Sequence, residues 1–551
     1  MKADKGNAIV ILDKSDYYNR VDKMIKEGPY ILCSKNPLNK FISSTNETLK
    51  ECKSIITSKL KKTLTVSNPS LPKLYCLPKI HKTGNQMRPI VSSINSPTYQ
   101  IAKWLQKKLS TLIPFQSFSI KNRYDFIDRV KDLTIEDHEM LVSFDVVGLY
   151  PNVPIDVTSE LIEDWLHSNN LSEDEINDYL KLINLCMSQT TFVFQEKYYK
   201  QTNGTAMGNP LSCFVANIFM SHFEILAKET LHYFPRIWIR YVDDVFAVFD
   251  KNQDIQQFTD SINNIYPTIK FTTEKEADGK LPFLDVMVIK ENNRIEFDIY
   301  RKKTHTDRYI TNDSNHPPHQ KRAVFHSLIY RLLNTPINEE RFKKEVIYIK
   351  NVANFNGYPT SLVDNMLRKA KAKQTKKQRT TLLTTTENDQ KWTSLTYHSK
   401  FSNKITNIFK NKTSKNVSLK PINLLKTKLN NPKDKTSKMN MSGIYEIGCN
   451  DCNKKYIGQT KRSIQTRYKE HRAHTKYSRT EKSAIAAHSI NTGHSFNSNN
   501  LKLLKQIIKP QYLNAWESFF IDRADKNVLL NNEDGPIINS KLLKLIISKE
   551  T

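Results

Sequence analysis

The stretch WIRYVDDVFAVFD, Trp238 to Asp250, sets Asp243 and Asp244 side by side among aromatic and β-branched residues of the kind a buried sheet takes up. Two carboxylates about 4 Å apart repel by roughly 4 kcal/mol at an effective dielectric of about 20, so a cation is their natural counterpart. A third aspartate, Asp145 in LVSFDVVGLYPNVP, follows another strand-like run, and the ring of Tyr150 comes soon after it. Hard divalent cations take carboxylate oxygens, and template-directed nucleotidyl transfer uses two of them, one at the primer 3′-hydroxyl and one at the triphosphate. Asp145, Asp243 and Asp244 are therefore the expected ligands of Mg2+, or of Mn2+ in its place.

A second group of reactive side chains lies in MSGIYEIGCNDCNKKYIGQTKRSIQTRYKEHRAH. GIY at 443–445 and YIG at 456–458 each border a predicted strand, which makes a hairpin carrying Tyr445 and Tyr456. The helix expected next sets Arg467 and His471 one turn apart on one face, with Ile464 and Tyr468 on a packing stripe. Glu517 sits in YLNAWESFFI, a further predicted helix. Cys449 and Cys452 form a C-x-x-C between the two tyrosine motifs, and AAHSINTGH supplies His488 and His494. Two thiolates and two imidazoles make a tetrahedral Zn2+ set, the alternative being free thiols and surface histidines. Closing such a set contributes about 10–16 kcal/mol of apparent binding energy to a small domain. The HPPH at 316–319 reads either as a zinc pair or as a contact to nucleic-acid backbone.

The elements that must hold these groups alternate along the chain. Short apolar runs before about Met140 read as strands and loops, VTSELIEDWLHSNN and INDYLKLINLCM as helices, FVFQEKYYKQ as a hairpin, and LSCFVANIFMSHFEILAKETL as a helix entered after Gly208 and Pro210. IWIRYVDDVFAVF reads as two strands with Asp243 and Asp244 at the turn between them. The whole chain has 551 residues and a formal charge of +28, which favours several domains and a polyanionic partner. Residues 361–440 hold 19 basic and 4 acidic residues, a net of +15, densest in RKAKAKQTKKQR at 368–379. That run is either a solvated linker or a nucleic-acid contact. Scattered cysteines favour a reduced compartment, and no apolar run approaches the roughly eighteen residues of a membrane span, so an intracellular protein without a membrane partner is expected. Patterned sequence starts at once in MKADKGNAIVILDK, which suggests that a preceding segment is absent.

FDVVGLY, GTAMGNPLS and YVDD, in this order, resemble the palm motifs of reverse transcriptases. KADKGNAIVILDKSDY, LPKIHKTGNQMRPIVSS, LPFLDVMV, NNPKDK and YRKKTHTDRYITNDSNHPPHQKRAVFHSLIYR resemble the enzyme of Penelope-like retroelements, and the C-terminal part resembles a GIY-YIG endonuclease. The resemblance implies an α+β multidomain fold: a right-hand polymerase with fingers, palm and thumb, followed by a basic helical connector and a small α/β GIY-YIG nuclease. The domains would be 1–140 (fingers and start of the palm), 141–300 (palm), 301–395 (thumb), 396–440 (connector) and 441–551 (nuclease). It further implies that Tyr150 excludes a 2′-hydroxyl, that Gly208 and Pro210 shape the loop under template and nucleotide, and that Arg88, with Lys79 second, meets the triphosphate. Asn209, Cys213 and Asn217 depart from the residues common in the family. In the nuclease Tyr445 and Tyr456 would serve the attacking water, Arg467 the phosphate, His471 proton transfer and Glu517 a Mg2+ ion. Asn531, with Asn532 as the alternative, would be the late asparagine, and Cys449, Cys452, His488 and His494 the zinc set. The partners implied are template RNA, primer or target DNA and dNTPs, met in the nucleus after synthesis in the cytoplasm. A domesticated binding protein with dead catalysis, and a telomerase-like or intron-type polymerase, are the competing readings.

Overall fold

Apolar residues spaced by two pair into sheets, and those spaced by three and four lay helices over them. The computed structural model describes residues 1–5, 8–80, 84, 86–112, 118–379, 391–413, 415–422, 424, 429 and 432–531. The first sheet has the order β1 (Tyr30–Cys33), β6 (Lys197–Gln201), β5 (Thr191–Phe194), β2 (Lys73–Pro78), β3 (Met87–Ser92). Tyr17, Val21 and Ile25, one stripe of the helix Lys14–Glu27, bury its inner face against Leu74, Cys76, Met87 and Phe192. Two of these five strands come from residues 191–201, so the sheet joins strands from the segment 1–140 to strands from the segment 141–300. Sheets recruit strands by edge complementarity, and a contiguous cut in the chain cannot express that.

The second sheet runs β7 (Ile237–Tyr241), β8 (Asp244–Asp250), β4 (Glu139–Val146), β9 (Phe271–Lys275), all antiparallel. Strand β8 is an almost unbroken apolar run because both faces are covered. Val245, Ala247 and Phe249 face a core with the helices Ile155–His167, Glu173–Ser188 and Ser212–Thr230. Phe246 and Val248 face β10 (Lys280–Phe283), β11 (Val286–Glu291) and β12 (Arg294–Ile299), a small antiparallel sheet. Asp244 shares the second face by the period of two, so it emerges where that covering sheet ends.

Three helices, Pro318–Leu333, Glu339–Phe355 and Thr360–Arg379, follow around a core of Phe325, Leu328, Ile349, Val352 and Val363. The HPPH motif makes the start of the first: Pro317 caps it, Pro318 takes the first turn, and His316 Nδ1 pairs with Ser314 Oγ at 2.6 Å. The connector differs from the helical one expected. Residues β13 (Lys391–Thr396), the helix Ser399–Lys412 and β14 (Lys415–Lys420) make a strand-helix-strand unit with the strands parallel. KWTSLT and KNVSLK carry the β-branched and apolar residues that a strand pair needs, which a reading guided by charge alone passes over.

The C-terminal unit is a three-stranded antiparallel sheet, β16 (Lys455–Thr460), β15 (Gly443–Gly448), β17 (Leu501–Gln506), with the helices Ile464–Lys476, Ala484–Thr492 and Leu513–Arg523 packed on it. No described helix is long and apolar enough to cross a membrane.

Candidate active sites and metal centre

The β4–β8 register sets Asp145 directly across from Asp244. Cross-strand partners share a face with Cβ atoms about 4.5–5.5 Å apart. Val242 and Asp243 make the two-residue turn between β7 and β8, with Val242 at φ 58°. Asp244 is therefore outside the turn where sequence reading put it, since pairing with Asp145 requires extended backbone. The Asp243 carbonyl accepts from the Val146 N–H at 3.0 Å and ties the turn to the end of β4. Burial pushes the Asp244 carboxyl up to about 6; Asp243 and Asp145 add to the push, and Lys302 and Lys5 oppose it. Asp145 and Asp244 line a cavity of about 540 Å³ together with Lys5, Lys302 and Lys303. Carboxylates for a cation and ammonium groups for phosphates thus meet in one space.

A buried ion pair supports the aspartate hairpin from behind. Arg240 and Glu224, 1% and 0% exposed, pair at 2.7 Å. The guanidinium also donates to Asn217 Oδ1 at 3.1 Å and to the Val242 carbonyl at 3.3 Å, while Trp238 Nε1 donates to Glu224 at 3.1 Å. Two strand residues and two helix residues so fix the turn that carries Asp243. Sequence reading missed this network. Its signal was available: an arginine within IWIRY and a glutamate within FEILA are charges at positions patterned for burial, and such charges need each other.

Tyr150 lies in a short helix, Leu149–Asn152, whose residue Tyr150 accepts at its carbonyl from Thr205 N–H at 2.7 Å. Its hydroxyl is 3.1 Å from Cys213 Sγ; burial raises the phenol, and Cys213 and Asp243 raise it further. Gly208 has φ 122° and presses on β3, where a Cβ would collide with the Val91 carbonyl; Pro210 follows it, leading into the helix Ser212–Thr230. Arg88, on β3, forms a 2.8 Å ion pair with Asp4. Lys79 stands just past β2, its N–H donating to the Gln86 carbonyl at 2.8 Å. The cavity beside Asp145 is lined by Lys5, Lys302 and Lys303 rather than by Arg88 and Lys79, and the first three were not singled out from sequence.

In the C-terminal unit Tyr445 pairs with Gly458 across β15 and β16, and Tyr456 lies two residues along on the same face. Their ring centroids are 6.3 Å apart. A Cβ on Gly458 would stand 2.6 Å from the Tyr445 hydroxyl, so the glycine of YIG makes room for the tyrosine of GIY. The Tyr445 hydroxyl meets His471 Nε2 at 2.8 Å, and the Arg467 guanidinium is close enough to both phenols for its charge to oppose the effect of their burial. Burial pushes His471 down to about 3, with Arg467 adding to it, so this imidazole is neutral at physiological pH. Glu517, raised by burial, accepts from Gln459 Nε2 at 2.8 Å and faces the same phenols. The Asn531 amide accepts from Ile457 N–H at 3.0 Å and donates to the Ile457 carbonyl at 2.7 Å, extending the sheet edge. Asn532 lies outside the described residues.

Cys449, Cys452, His488 and His494 bring one ligand atom each within 4.8 Å of one another. Cys449 Sγ is 3.7 Å from His494 Nδ1, Cys452 Sγ 3.5 Å from His488 Nε2, and those two nitrogens are 3.2 Å apart. A tetrahedral ion about 2.3 Å from sulfur and about 2.0–2.1 Å from nitrogen requires S···N edges of about 3.6 Å and N···N edges of about 3.3 Å. The residues fit such an ion. Among the described residues this is the one group of three or more metal-type side chains drawn together so tightly.

Residues 80–276 match the family described as reverse transcriptase (RNA-dependent DNA polymerase), and residues 308–368 match the animal helix-turn-helix domain. The first match spans Asp145, Asp243 and Asp244, and the second spans the first two helices of the three-helix unit and most of the sequence leading into them. Among solved structures, telomerase from Candida albicans in complex with a TWJ fragment of telomeric RNA is 14% identical, with a TM-score of 0.42 over 62% of this chain and 58% of that one. Apo telomerase from Candida tropicalis is 12% identical, with a TM-score of 0.40 over 68% and 66%. The Sicinivirus 3Dpol RNA-dependent RNA polymerase is 13% identical, with a TM-score of 0.39 over 58% and 71%. The chain thus spans 58% of the length of the Candida albicans telomerase it matches. No curated protein matches it. The family match supports RNA-directed DNA polymerase activity in this chain.

Removing the guanidinium from behind the hairpin leaves Glu224 buried and uncompensated, which costs about 3–5 kcal/mol. Arg240→Met is therefore expected to shift fluorescence-monitored denaturant unfolding to clearly lower denaturant; an unmoved transition would mean that the pair does not hold the sheet. Binding of a cation to the aspartates requires Asp244 to lose its proton, so affinity should fall as pH drops through about 6. Mn2+ titration followed by electron paramagnetic resonance reads this directly, and equal affinity on both sides of that pH would contradict it.

Proposed function

We propose that this protein is a retroelement enzyme of the Penelope-like type that nicks DNA with a C-terminal GIY-YIG nuclease and extends the exposed 3′-hydroxyl by copying RNA. The observation that carries the polymerase half is the pairing of Asp145 with Asp244 beside Asp243, inside the segment matched as reverse transcriptase. The convergence of Tyr445, Tyr456, Arg467, His471 and Glu517 supports the nuclease half.

Asp145, Asp243 and Asp244 would hold Mg2+ or Mn2+, which when bound acidifies the primer hydroxyl and neutralises the triphosphate. Tyr150, hydrogen-bonded to Cys213 and close enough to Asp243 to feel its charge, supplies a wall against a 2′-hydroxyl. Lys5, Lys302 and Lys303 balance phosphate charge in the same cavity. Arg88 is available to a triphosphate once its pairing with Asp4 is exchanged, and the loop at Gly208 and Pro210 underlies the template.

In the nuclease, Glu517 would hold one divalent ion, Arg467 meets the phosphate, and Tyr445 with Tyr456 orients the water. His471, neutral and hydrogen-bonded to the Tyr445 hydroxyl, would serve proton transfer there. Cys449, Cys452, His488 and His494 would hold a structural Zn2+ that closes the small domain. Template RNA, target DNA and dNTPs are the partners, with the nucleus as the place of action. The match to an animal helix-turn-helix domain suggests DNA contact at the three-helix unit.

Two substitutions separate the sites. Asp243→Ala should abolish RNA-templated primer extension and leave plasmid nicking intact, and Glu517→Ala should do the reverse. Loss of both activities from either change would refute two independent centres. The metal reading is checked by elemental analysis of purified protein, which should find one zinc per chain and lose it in Cys449→Ala; a zinc-free, folded wild type would remove that assignment.

A further inference from the structure

Behind the nuclease tyrosine runs a chain of buried hydrogen bonds that ends on a residue with no role so far. The Tyr445 hydroxyl meets His471 Nε2 at 2.8 Å, and His471 Nδ1 meets Ser483 Oγ at 2.9 Å. Tyr445, His471 and Ser483 are 0%, 1% and 5% exposed, so water does not compete for these contacts. Ser483 is the N-cap of the helix Ala484–Thr492, its oxygen accepting from the Ala486 N–H at 3.3 Å. The same helix carries His488, a member of the Cys/His set, so that set and the N-cap hold the serine from the two parts of one short helix.

The charge beside the phenol assigns the protons. The positive charge of Arg467 acts on Tyr445, which turns the lone pairs of the phenol oxygen toward the guanidinium and its hydrogen toward His471 Nε2. A neutral imidazole with Nε2 accepting carries its hydrogen on Nδ1. That hydrogen goes to Ser483, whose two lone pairs then take the Nδ1–H and the Ala486 N–H. The alternative tautomer would set two donors, the phenol and Nε2–H, against each other unless the phenol turned away from the histidine.

We propose that Ser483 is a positioning residue that fixes His471 as the Nδ1–H tautomer, so that Nε2 accepts the Tyr445 hydroxyl and the phenol oxygen keeps its lone pairs for Arg467 and the reacting water. The inference rests on the nuclease reading for its consequence in catalysis; the tautomer itself does not depend on it.

The test is a long-range ¹H–¹⁵N correlation spectrum of the full chain labelled at histidine, with His471 assigned by its loss in His471→Gln, paired with nicking kinetics. Wild type should show His471 protonated at Nδ1. Ser483→Gly, which a helix N-cap tolerates, should shift the ring toward the Nε2–H form and lower the kcat of nicking about 10–100-fold with KM little changed. Ser483→Thr, which keeps the oxygen, should retain both signals at wild-type values. An Nε2–H ring in wild type, or a Ser483→Gly protein that keeps both the Nδ1–H form and full kcat, would overturn the proposal. A Ser483-dependent tautomer in a chain with no nicking activity would sink the nuclease reading and leave the positioning role standing.

Discussion

Like charges facing each other across two hydrogen-bonded strands are the constraint from which the polymerase half of this molecule follows. Asp145 opposite Asp244 is an unfavourable pair by itself. The sheet holds it because Val142, Phe144 and Val146 on β4 and Val245, Phe246, Ala247 and Val248 on β8 are buried in cores on the two faces. A one-residue slip of β8 would exchange Phe246 and Val248 with Val245 and Ala247 between two cores of different shape, so the register is heavily specified. The repulsion is thereby stored against a packed scaffold, and burial of Asp244 deepens it. A cation relieves that repulsion, and the three lysines that line the same cavity moderate it.

The C-terminal unit solves a different problem with less material. Its three strands and three helices split into two small cores, one around Tyr445 and one around Ile444, on opposite faces of β15. Alternation along GIYEIG sends Tyr445 and Ile447 to one side and Ile444 to the other. Tyr445 is thus a core residue, held by Ile464, Tyr468 and Ile485. Small cores leave little stability to spare, and the Cys/His set brings the β15–β16 turn together with the helix Ala484–Thr492, whose Ile485 already packs in the Tyr445 core. The position of Tyr445 therefore depends on the packing of this helix against the sheet.

Much of this was legible because charge stands out against apolar periodicity. Asp145, Asp243 and Asp244 could be found from their misfit with strand patterns, and the tyrosine hairpin from motif spacing. The turn between β7 and β8 was misplaced by one residue because pattern alone does not say which aspartate pairs with Asp145. Arg240 with Glu224 escaped notice because their 16-residue separation crosses from a helix to a strand, and only the fold brings them together. Lys5 and Lys302 are nearly three hundred positions apart, and no local pattern joins them at one cavity. The hydrogen bonds of the Asn531 amide to Ile457, 74 positions earlier, could not be read from its place near the end of a motif series.

Net charge was the least faithful of the sequence signals, and the connector explains why. Lys433 is counted in the +15 of residues 361–440, yet its ammonium hydrogen-bonds Ser92 at 3.0 Å and lies 4.8 Å from the Tyr75 ring centre. Across the β2–β3 ladder from Ser92 stands Lys73, which donates to the Asp434 carbonyl at 2.6 Å and to Thr436 at 2.7 Å. Asn68 then holds the Asn440 carbonyl at 3.0 Å. These contacts bind the strap that precedes the C-terminal unit to strands β2 and β3 and to the loop before them, and burial lowers the pKa of both lysines. A charge spent on internal contacts is shielded from a phosphate backbone. Lys369 and Lys373, on the helix Thr360–Arg379, are exposed. The basic stretch 361–440 is therefore two things: an exposed basic surface on its helices and a fixed strap at its end, and composition does not tell them apart.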